Sequence, residues 1–189
     1  MLRFAAPEDA QALLDIYGQY IDTSVTFEYV LPTREEFRGR IEDISQMYPY
    51  LVWEDGGVIW GYAYAHRFHE RAAYQWCAEL SVYLDERAHG RGLGKKLYTA
   101  LMDILRAQGV RNVYGCITVP NDKSIALHKA LGFALVSRFH SAGYKDGAWH
   151  DVVWYEKSIA PPAAKPPEPI KSIRDIPAAM LADILKKAI

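Results

Sequence analysis

The clearest hydrophobic pattern of the chain runs through residues 80–105. Over the first five positions, apolar side chains alternate with Ser81 and Tyr83, which is the period of a half-buried strand. A turn rich in glycine follows, and leucine and isoleucine then recur at helical spacing until Gly109, a residue type that favours the end of a helix. This stretch predicts a strand, a glycine loop and a helix in succession.

The rest of the chain alternates between the same two periods. Period-2 runs predict strands at residues 2–4, 50–54, 58–66, 74–84, 110–119, 134–140 and 152–157. Helical runs predict helices at residues 7–17, 33–47, 93–108 and 121–131. This order predicts an α+β fold (mixed α/β) with a central mixed, mainly antiparallel sheet of about seven strands, flanked by helices on both faces.

Local turn and capping signals support two of these boundaries. Thr33 and Glu36 have the spacing of a capping box, which predicts a helix start. Residues 55–57, with the sequence Asp-Gly-Gly, predict a tight hairpin turn between two strands. Residues 21–31 follow neither period, and we expect an irregular loop that lines a site, because binding residues concentrate on loops.

Residues 159–189 differ in composition from the preceding residues 1–158, which we interpret as the main domain. Proline recurs through residues 160–169 and predicts an extended linker. Residues 175–189 then predict a short amphipathic helix. Its apolar face comprises Ile176, Met180, Leu181, Ile184 and Leu185. We expect it to pack on its own domain or on a partner subunit, because a membrane-surface helix would be longer and richer in Lys and Arg.

Composition and charge exclude several function classes. The 189 residues are 50% hydrophobic and 24% charged, as in a globular protein, and the net charge of −1 argues against a nucleic-acid-binding surface. No apolar run approaches the ~20 residues of a membrane span, and the N-terminus lacks the apolar core of a signal peptide. We therefore expect a cytoplasmic protein without a membrane or nucleic-acid partner. Cys77 and Cys116 stand alone in predicted strands, and we expect reduced thiols in the core.

The glycine loop has the chemistry of an anion-binding site. Gly90, Gly92 and Gly94 let the backbone approach a phosphate, and the free N–H groups of the following helix point at it. Arg91 and Lys95 add positive charge at the same place. The spacing fits neither the P-loop, which needs GxxxxGK[ST], nor the dinucleotide fingerprint GxGxxG. An ordinary glycine-rich turn beside a solvated basic patch is the alternative.

Residues 89–94 resemble the pyrophosphate-binding loop of the GNAT superfamily, the acyl-CoA-dependent N-acyltransferases. That pattern, [R/Q]xxGx[G/A], begins with Arg or Gln, and this chain has His89 instead. Residues 119–124 and 127–133 resemble the second conserved region of the same superfamily. Residues 48–52, 61–65, 74–83 and 143–152 resemble its phosphinothricin and methionine sulfoximine acetyltransferase branch. The resemblance covers residues 2–157, and it implies a GNAT-type fold and acetyl-CoA as co-substrate.

The resemblance also implies which residues hold acetyl-CoA. These are Val82, Tyr83, Leu84, His89, Gly90, Arg91, Gly92, Leu93, Gly94, Lys95, Asn121 and Ser124. A backbone N–H from residues 82–84 would polarise the acetyl carbonyl, and the same strand would pair with the pantetheine. Asn121 and Ser124 would contact the pantetheine or the phosphates.

Acetyl transfer to an amine requires the amine to lose a proton and the thiolate to gain one. The resemblance implies Glu79 as the general base, because desolvation can raise a carboxyl pKa towards the working range. His128 stands where many superfamily members carry a general acid, and it could act as base or acid. The alternatives are a strand glutamate paired with an arginine and a histidine satisfied at a helix end.

The acceptor is less well defined by the sequence. Arg71 and Tyr74 match positions that meet the carboxylate end of amino-acid-like substrates in this branch, and Phe27 and Tyr29 lie in the loop that would face them. Arg71 could instead be a surface charge. His66 and His69 form an HxxH pair, but no third metal ligand is at hand, and we expect no metal.

The resulting prediction is a homodimeric N-acetyltransferase that moves acetyl from acetyl-CoA to the α-amino group of a small amino-acid-like substrate. The homodimer is implied by the resemblance. Another amine acceptor, such as a polyamine, an aminoglycoside or a protein N-terminus, remains an alternative. A non-catalytic acyl-CoA-binding module is a second alternative, for which the departure at His89 is the sequence feature.

Overall fold

Seven strands and five α-helices make up the computed structural model, which describes residues 1–161 and 166–188. The strands are β1 (Leu2–Phe4), β2 (Tyr50–Asp55), β3 (Val58–Arg67), β4 (Cys77–Leu84), β5 (Asn112–Val119), β6 (Ala134–Lys145) and β7 (Ala148–Ser158). The helices are α1 (Ala10–Gly18), α2 (Arg34–Met47), α3 (Leu93–Gln108), α4 (Asp122–Ala130) and α5 (Ala178–Lys187). Single 3-10 turns lie at Pro7–Asp9, Ala72–Tyr74, Glu86–Ala88 and Ile173–Asp175.

The strands form one sheet in the order β1-β2-β3-β4-β5-β7-β6. Every neighbouring pair is antiparallel except β4 and β5, which run parallel. The predicted fold class, a mixed and mainly antiparallel seven-stranded sheet with helices on both faces, is confirmed.

The parallel pair is short. It begins at Cys77 and Asn112 and ends at Glu79 and Tyr114, although both strands continue for five more residues. Beyond this point the two strands are unpaired with each other. We call the space between residues 80–84 of β4 and residues 115–119 of β5 the strand gap.

Side chains alternate between the two faces of the sheet because successive strand residues point in opposite directions. On one face Tyr50, Val52 and Tyr62 pack against α1 and α2. On the other face the core includes Leu51, Ala63 and Leu80 with the buried stripe of α3. Leu97, Leu101, Ile104 and Leu105 of that stripe are fully buried, as the helical spacing predicts. Glu79 belongs to the last paired position before the strand gap, in a sheet that has a separate apolar core on each face.

Several predicted boundaries are confirmed and others are wrong. The capping box forms, since the Thr33 side chain accepts from Glu36 N–H and the Glu36 carboxylate accepts from Thr33 N–H. The strand predicted at 74–84 begins only at Cys77, because Ala72–Tyr74 closes a 3-10 turn. The last two strands extend beyond 134–140 and 152–157 into a long hairpin that ends in the tight turn of residues 146 and 147.

The cysteine prediction is wrong in one respect. Cys77 and Cys116 are both free thiols, but Cys77 is half-buried and Cys116 is exposed, so neither belongs to the core. Both side chains lie on the face of the sheet opposite the buried Ala78, Val113 and Ile117, and neither belongs to the buried clusters on either face.

The C-terminal segment packs on the same domain. Ile173 and Ile176 are buried, and α5 lies on α3 and β1 through partly buried apolar residues. The predicted apolar face is wrong at Met180, which is 47% exposed, and the helix begins after Pro177 rather than at residue 175. Residues 162–165 of the predicted linker and residue 189 lie outside the described residues. Within those described, none of the helices has the length and apolar character to cross a membrane.

Candidate active site

The strand gap exposes backbone polar groups of β4. Leu80 O accepts a hydrogen bond from the Tyr98 hydroxyl at 3.1 Å, and Leu84 O accepts one from the Tyr20 hydroxyl at 2.5 Å. Alternate residues of an antiparallel strand direct their backbone groups to the same edge, so the N–H and C=O of Val82 also face the strand gap. An extended ligand with amide groups can pair with this edge as an additional strand would.

The glycine loop lies at the end of β4 and opens α3. Gly90 and Gly92 have φ values of 76° and 75°, a left-handed conformation that glycine adopts without strain. An added Cβ at either residue would meet nothing within 4 Å, so the space above the loop is open. Gly92 caps α3 without a side-chain hydrogen bond, which leaves the first-turn N–H groups available to an anion.

Gly94 fulfils a different requirement. It is buried, and a Cβ there would lie 3.2 Å from the Leu127 side chain of α4. The glycine therefore lets α3 and α4 approach each other beneath the loop. Leu93 is buried beside it in the core and supports the loop from below.

Basic side chains surround the glycine loop. Arg91 and Lys95 are exposed, and the Arg91 guanidinium lies 5.2 Å from the centre of the Trp60 ring. Arg87, which the sequence analysis missed, lies 5.1 Å from the same ring on the preceding turn. Arg87 is ion-paired with Asp85 at 2.7 Å, so Arg91 and Lys95 supply the positive charge next to the positive end of the α3 dipole.

His89 connects four elements by a directed chain of hydrogen bonds. Lys123 Nζ, which can only donate, lies 3.1 Å from Nδ1 of His89, so Nδ1 accepts and Nε2 carries the proton. Nε2–H then donates to the Tyr20 oxygen at 3.0 Å, and Tyr20 donates to Leu84 O. His89 thus anchors the glycine loop to the turn after α1, to α4 and to β4. Tyr20 and Lys123 were missed because no local pattern marks this contact.

Asn121 and Ser124 form hydrogen bonds within the first turn of α4. The Asn121 side chain accepts a hydrogen bond from Ser124 N–H at 3.1 Å and caps the helix, as the sequence predicts. Ser124 O in turn accepts from His128 Nδ1 at 2.8 Å. The α4 start is therefore ordered by its own side chains next to the glycine loop.

Glu79 lies at the point where β4 and β5 separate, on the α1–α2 face. Its side chain is 20% exposed, and the nearest ionisable partner is His66, whose Nε2 lies 3.9 Å from a carboxylate oxygen. Burial raises the pKa of Glu79, and the charges of His66 and His69 oppose that effect. No arginine pairs with Glu79 among the described residues. A carboxyl group with a raised pKa can accept a proton near neutral pH.

His128 lies on the opposite face, buried among aromatic rings. It is 2% exposed, and the rings of Tyr98, Phe133 and Tyr155 are 5.0–5.8 Å from its own. Burial lowers the pKa of His128, which favours the neutral ring. Because Nδ1–H donates to the carbonyl of Ser124, Nε2 of the neutral ring is unprotonated.

Nε2 of His128 has no hydrogen-bond partner among the described residues. It points at Gly115 of β5, where an added Cβ would lie 2.2 Å from it. An unpartnered buried nitrogen carries a desolvation cost and is often found at functional sites. The structure thus places Glu79 and His128 on opposite faces of the sheet, on either side of the strand gap.

The two predicted pairs of acceptor residues lie in different places. Phe27 packs on the β6–β7 hairpin, where a Cβ at Gly143 would be 2.3 Å from its ring. Tyr29 is 70% exposed, and its hydroxyl donates to Tyr144 O. Phe27 also lies 6.2 Å, ring centre to ring centre, from His150 of β7.

Arg71 and Tyr74 lie in the turn before β4. Both are exposed, and the Tyr74 ring is 6.3 Å from Phe68, which packs edge-on against Trp154 of β7. No ring contact or hydrogen bond among the described residues joins them to Phe27 or Tyr29. His150, which lies beside Phe27, and Trp154 are four residues apart, or about 13 Å, along β7. Tyr74 is linked to Trp154 only through the Phe68 ring. The two pairs therefore do not form one cluster.

Two charged residues of this region were missed. Arg40 of α2 forms a bidentate ion pair with Glu28, at 2.7 and 3.1 Å. Lys145 is buried, and its ammonium group contacts the loop that carries Phe27. Neither residue stands out in the sequence, because each depends on a partner far away along the chain.

Two further observations concern metals and cavities. The described residues contain no group of three or more His, Cys, Asp or Glu that could hold a metal ion. A cleft of about 510 Å³ lies elsewhere, between α1 and the β2–β3 turn, with Asp15 and Arg87 among its lining residues. The cleft contains neither Glu79 nor the glycine loop, so it does not overlap the site that the sequence predicts.

Comparisons with known proteins agree with this geometry. Residues 2–154 match the family model described as "Acetyltransferase (GNAT) domain". The chain is 40% identical to phosphinothricin N-acetyltransferase of Streptomyces viridochromogenes, over 93% of this chain and 95% of the relative. It is 30% identical to L-methionine sulfoximine/L-methionine sulfone acetyltransferase of Salmonella typhimurium, over 86% of this chain and 96% of the relative.

A solved structure shows the same fold. The phosphinothricin acetyltransferase of Sinorhizobium meliloti in complex with AcCoA superimposes with a TM-score of 0.84 and 34% identity, covering 89% of this chain and 92% of that one. The strand gap and the glycine loop fit the same co-substrate, since β4 has no strand partner there and the first turn of α3 has N–H groups without a side-chain cap. The chain belongs to the GNAT family of acetyltransferases and is an acetyl-CoA-dependent N-acetyltransferase.

Proposed function

We propose that the enzyme transfers acetyl from acetyl-CoA to the α-amino group of a small amino-acid-like acceptor of the phosphinothricin or methionine sulfoximine type. The observation that carries the proposal is Glu79, a carboxyl group with a raised pKa at the mouth of the strand gap. The relatives named above act on acceptors of this type, which supports the same acceptor class here.

The glycine loop and β4 would hold the donor. The pyrophosphate would accept hydrogen bonds from N–H groups of residues 90–95, with Arg91 and Lys95 as counter-charges. Asn121 and Ser124 would face the pantetheine. The pantetheine amides would pair with residues 82–84, and Val82 N–H would polarise the acetyl carbonyl. Acetyl-CoA supplies the activated acyl group as a thioester.

Glu79 would take the proton of the acceptor amine directly or through water. The amine nitrogen then forms a C–N bond to the acetyl carbon, and the C–S bond breaks. The thiolate leaves and takes up, directly or through water, the second proton that the attacking nitrogen loses as the amide forms. Since Nε2 of neutral His128 is an acceptor, a second proton-accepting role fits His128 better than donation to the thiolate.

The acceptor would occupy the surface flanked by its four predicted contacts. Phe27 and Tyr29 would cover its side chain from the loop. Arg71 would bind a carboxylate or phosphinate, because a guanidinium forms bidentate hydrogen bonds with such groups, and Tyr74 would lie beside it.

We also propose that the enzyme is a cytoplasmic homodimer. Strand β6 lies at the edge of the sheet, and Leu135, Val136 and Phe139 on it are 53–58% exposed. An apolar sheet edge of this kind is a common place for a second subunit to pack. The free thiols Cys77 and Cys116 suit a reducing compartment. Light scattering would measure the mass, and Val136→Lys should convert a dimer into monomers.

The acceptor is tested by following thiol release from acetyl-CoA with a panel of amines. The panel contains phosphinothricin, methionine sulfoximine, the natural amino acids, polyamines, an aminoglycoside and an N-terminal peptide. Turnover confined to the amino acids supports the proposal. Turnover with the other amines overturns the acceptor class, and tight acetyl-CoA binding without any turnover would indicate an acyl-CoA-binding module.

A further inference from the structure

Lys145 is the last residue of β6 and is 2% exposed. Its ammonium group donates three hydrogen bonds to backbone carbonyls, those of Ile21 at 2.6 Å, Thr23 at 2.7 Å and Thr26 at 2.8 Å. All three acceptors belong to the irregular segment between α1 and α2. We call residues 21–31 the acceptor loop, because it carries Phe27 and Tyr29.

The three contacts satisfy the full donor capacity of an ammonium group. Lys145 has no ion pair with a carboxylate in the described ranges, so the carbonyls alone compensate for the buried charge. A buried charge without partners is very unfavourable, and three orphaned carbonyls would be unfavourable as well. Removing the ammonium group would leave the three carbonyls without a donor, and moving the carbonyls away would leave the ammonium group buried without acceptors. The contact therefore fixes the path of the acceptor loop.

The hairpin holds Lys145 rigidly in place. Asp146 and Gly147 have φ values of 52° and 77°, the pattern of a two-residue hairpin turn, and Lys145 pairs with Ala148 across it. The ammonium group thus extends from a fixed point of the sheet into a segment that has no helix or strand of its own.

Further contacts join the same two segments. The Tyr29 hydroxyl donates to Tyr144 O, and the Phe27 ring fills the space above Gly143. The middle of the acceptor loop is also joined to α1, since the Tyr17 hydroxyl and Thr26 Oγ1 lie 2.5 Å apart. Lys145 stands between these contacts and is the only buried charge among them. The acceptor loop is thus held both to α1 and to the β6–β7 hairpin.

We propose that Lys145 is a positioning residue for the acceptor. Its ammonium group holds the acceptor loop so that Phe27 and Tyr29 present a fixed surface to the substrate. This inference rests on the proposed function only for the identity of the acceptor, since the order of the loop can be measured without any substrate.

The test compares Lys145→Met with Lys145→Arg and with the control Lys186→Met, an exposed lysine of α5. Methionine keeps the length of the side chain but leaves the three carbonyls without a donor. We expect kcat/KM for the acceptor to fall roughly 10–100-fold, mainly through KM, because small misplacement of a substrate contact has effects of this size. The Kd of acetyl-CoA should stay nearly unchanged, and Lys145→Arg should restore part of the activity.

Hydrogen exchange of the substrate-free protein gives the second readout. In Lys145→Met the amides of residues 21–31 should exchange faster, while those of α3 should not change. Unaltered exchange in the loop, or an unaltered acceptor KM, overturns the inference. Equal loss of acetyl-CoA affinity would show that Lys145 supports the whole fold, and it would also overturn the positioning role. Failure of the proposed function would instead appear in the wild type, as absent turnover with amino acids.

Discussion

The donor side and the acceptor side of the site are built in different ways. On the donor side several contacts join close neighbours in the sequence: Gly92 caps its own helix, and Asn121 caps α4 through Ser124. His89 adds contacts to Tyr20 and Lys123, which are 69 and 34 residues away. On the acceptor side the contacts are longer: Tyr29 contacts Tyr144, 115 residues away, and Lys145 contacts Ile21, 124 residues away. The helix caps of the donor side are specified by adjacent residues, whereas the acceptor surface exists only when the sheet is complete.

The sides also differ in the groups they use. The donor side presents backbone N–H and C=O groups, which are the same for every residue type except proline. The acceptor side presents side chains such as Phe27 and Tyr29. Substitutions on the donor side should therefore act through backbone conformation, and those on the acceptor side through side-chain placement.

The largest effect should come from Glu79, where both sides meet. Glu79→Gln keeps the shape but cannot accept a proton, and we expect kcat to fall ~10²-fold or more, the range of general-base loss. The Kd of acetyl-CoA, measured by calorimetry, should stay nearly unchanged. Glu35→Gln, an exposed glutamate of α2, is the matched control. Unchanged kcat in Glu79→Gln would remove this residue from the mechanism.

The pH profile of kcat/KM tests whether Glu79 is the general base. Glu79 must be ionised to accept a proton, and burial raises its pKa above the ordinary 4.5. We expect kcat/KM to fall about tenfold per pH unit below that raised pKa. The stability of the fold should change with pH in the opposite direction to the activity. Because the pKa of Glu79 is higher in the folded than in the unfolded state, its contribution to folding is present in full below pH 4.5 and is lost as the pH rises through the folded-state pKa. An acidic limb at or below pH 4.5 would contradict the assignment.

Gly143→Ala tests the acceptor side alone. The new Cβ would lie 2.3 Å from the Phe27 ring, which must turn away. We expect the acceptor KM to rise about tenfold, since lost positioning acts mainly on binding of the acceptor. The Kd of acetyl-CoA should not change. If the acceptor KM is also unchanged, Phe27 does not contact the substrate.

Gly92→Ala tests the donor side with the smallest change. The Cβ meets no neighbour, so its effect is confined to the strain of a left-handed alanine, about 1 kcal/mol. We expect the free loop to relax out of this strained conformation, so that binding must restore it and the Kd of acetyl-CoA rises roughly 3–10-fold, with the acceptor KM unchanged. Gly39→Ala, in the middle of α2 with open space around it, is the control and should leave both constants unchanged. An effect of Gly92→Ala on the acceptor KM alone would contradict the division into two sides.

Much of the fold could be predicted because its signals are local. The capping box at Thr33, the hairpin turn after Asp55 and the stripe of α3 each lie within a few residues and are confirmed. The errors arose where local preference was overruled. Residues 74–76 have strand-forming side chains but lie in and after a 3-10 turn, and Cys116 points to a face of the sheet that is not covered at its position.

The candidate site likewise has parts that local sequence signals predict and parts that depend on tertiary packing. By itself the sequence determined the glycine loop, the helix that follows it, the cap at Asn121 and the family motifs, because each depends on backbone preferences of neighbouring residues. Only the tertiary structure decided that Glu79 and His128 lie on opposite faces, that His89 joins Tyr20 to Lys123, and that Lys145 reaches the acceptor loop. These arrangements depend on strand register and helix packing, which bring together residues that no local pattern relates.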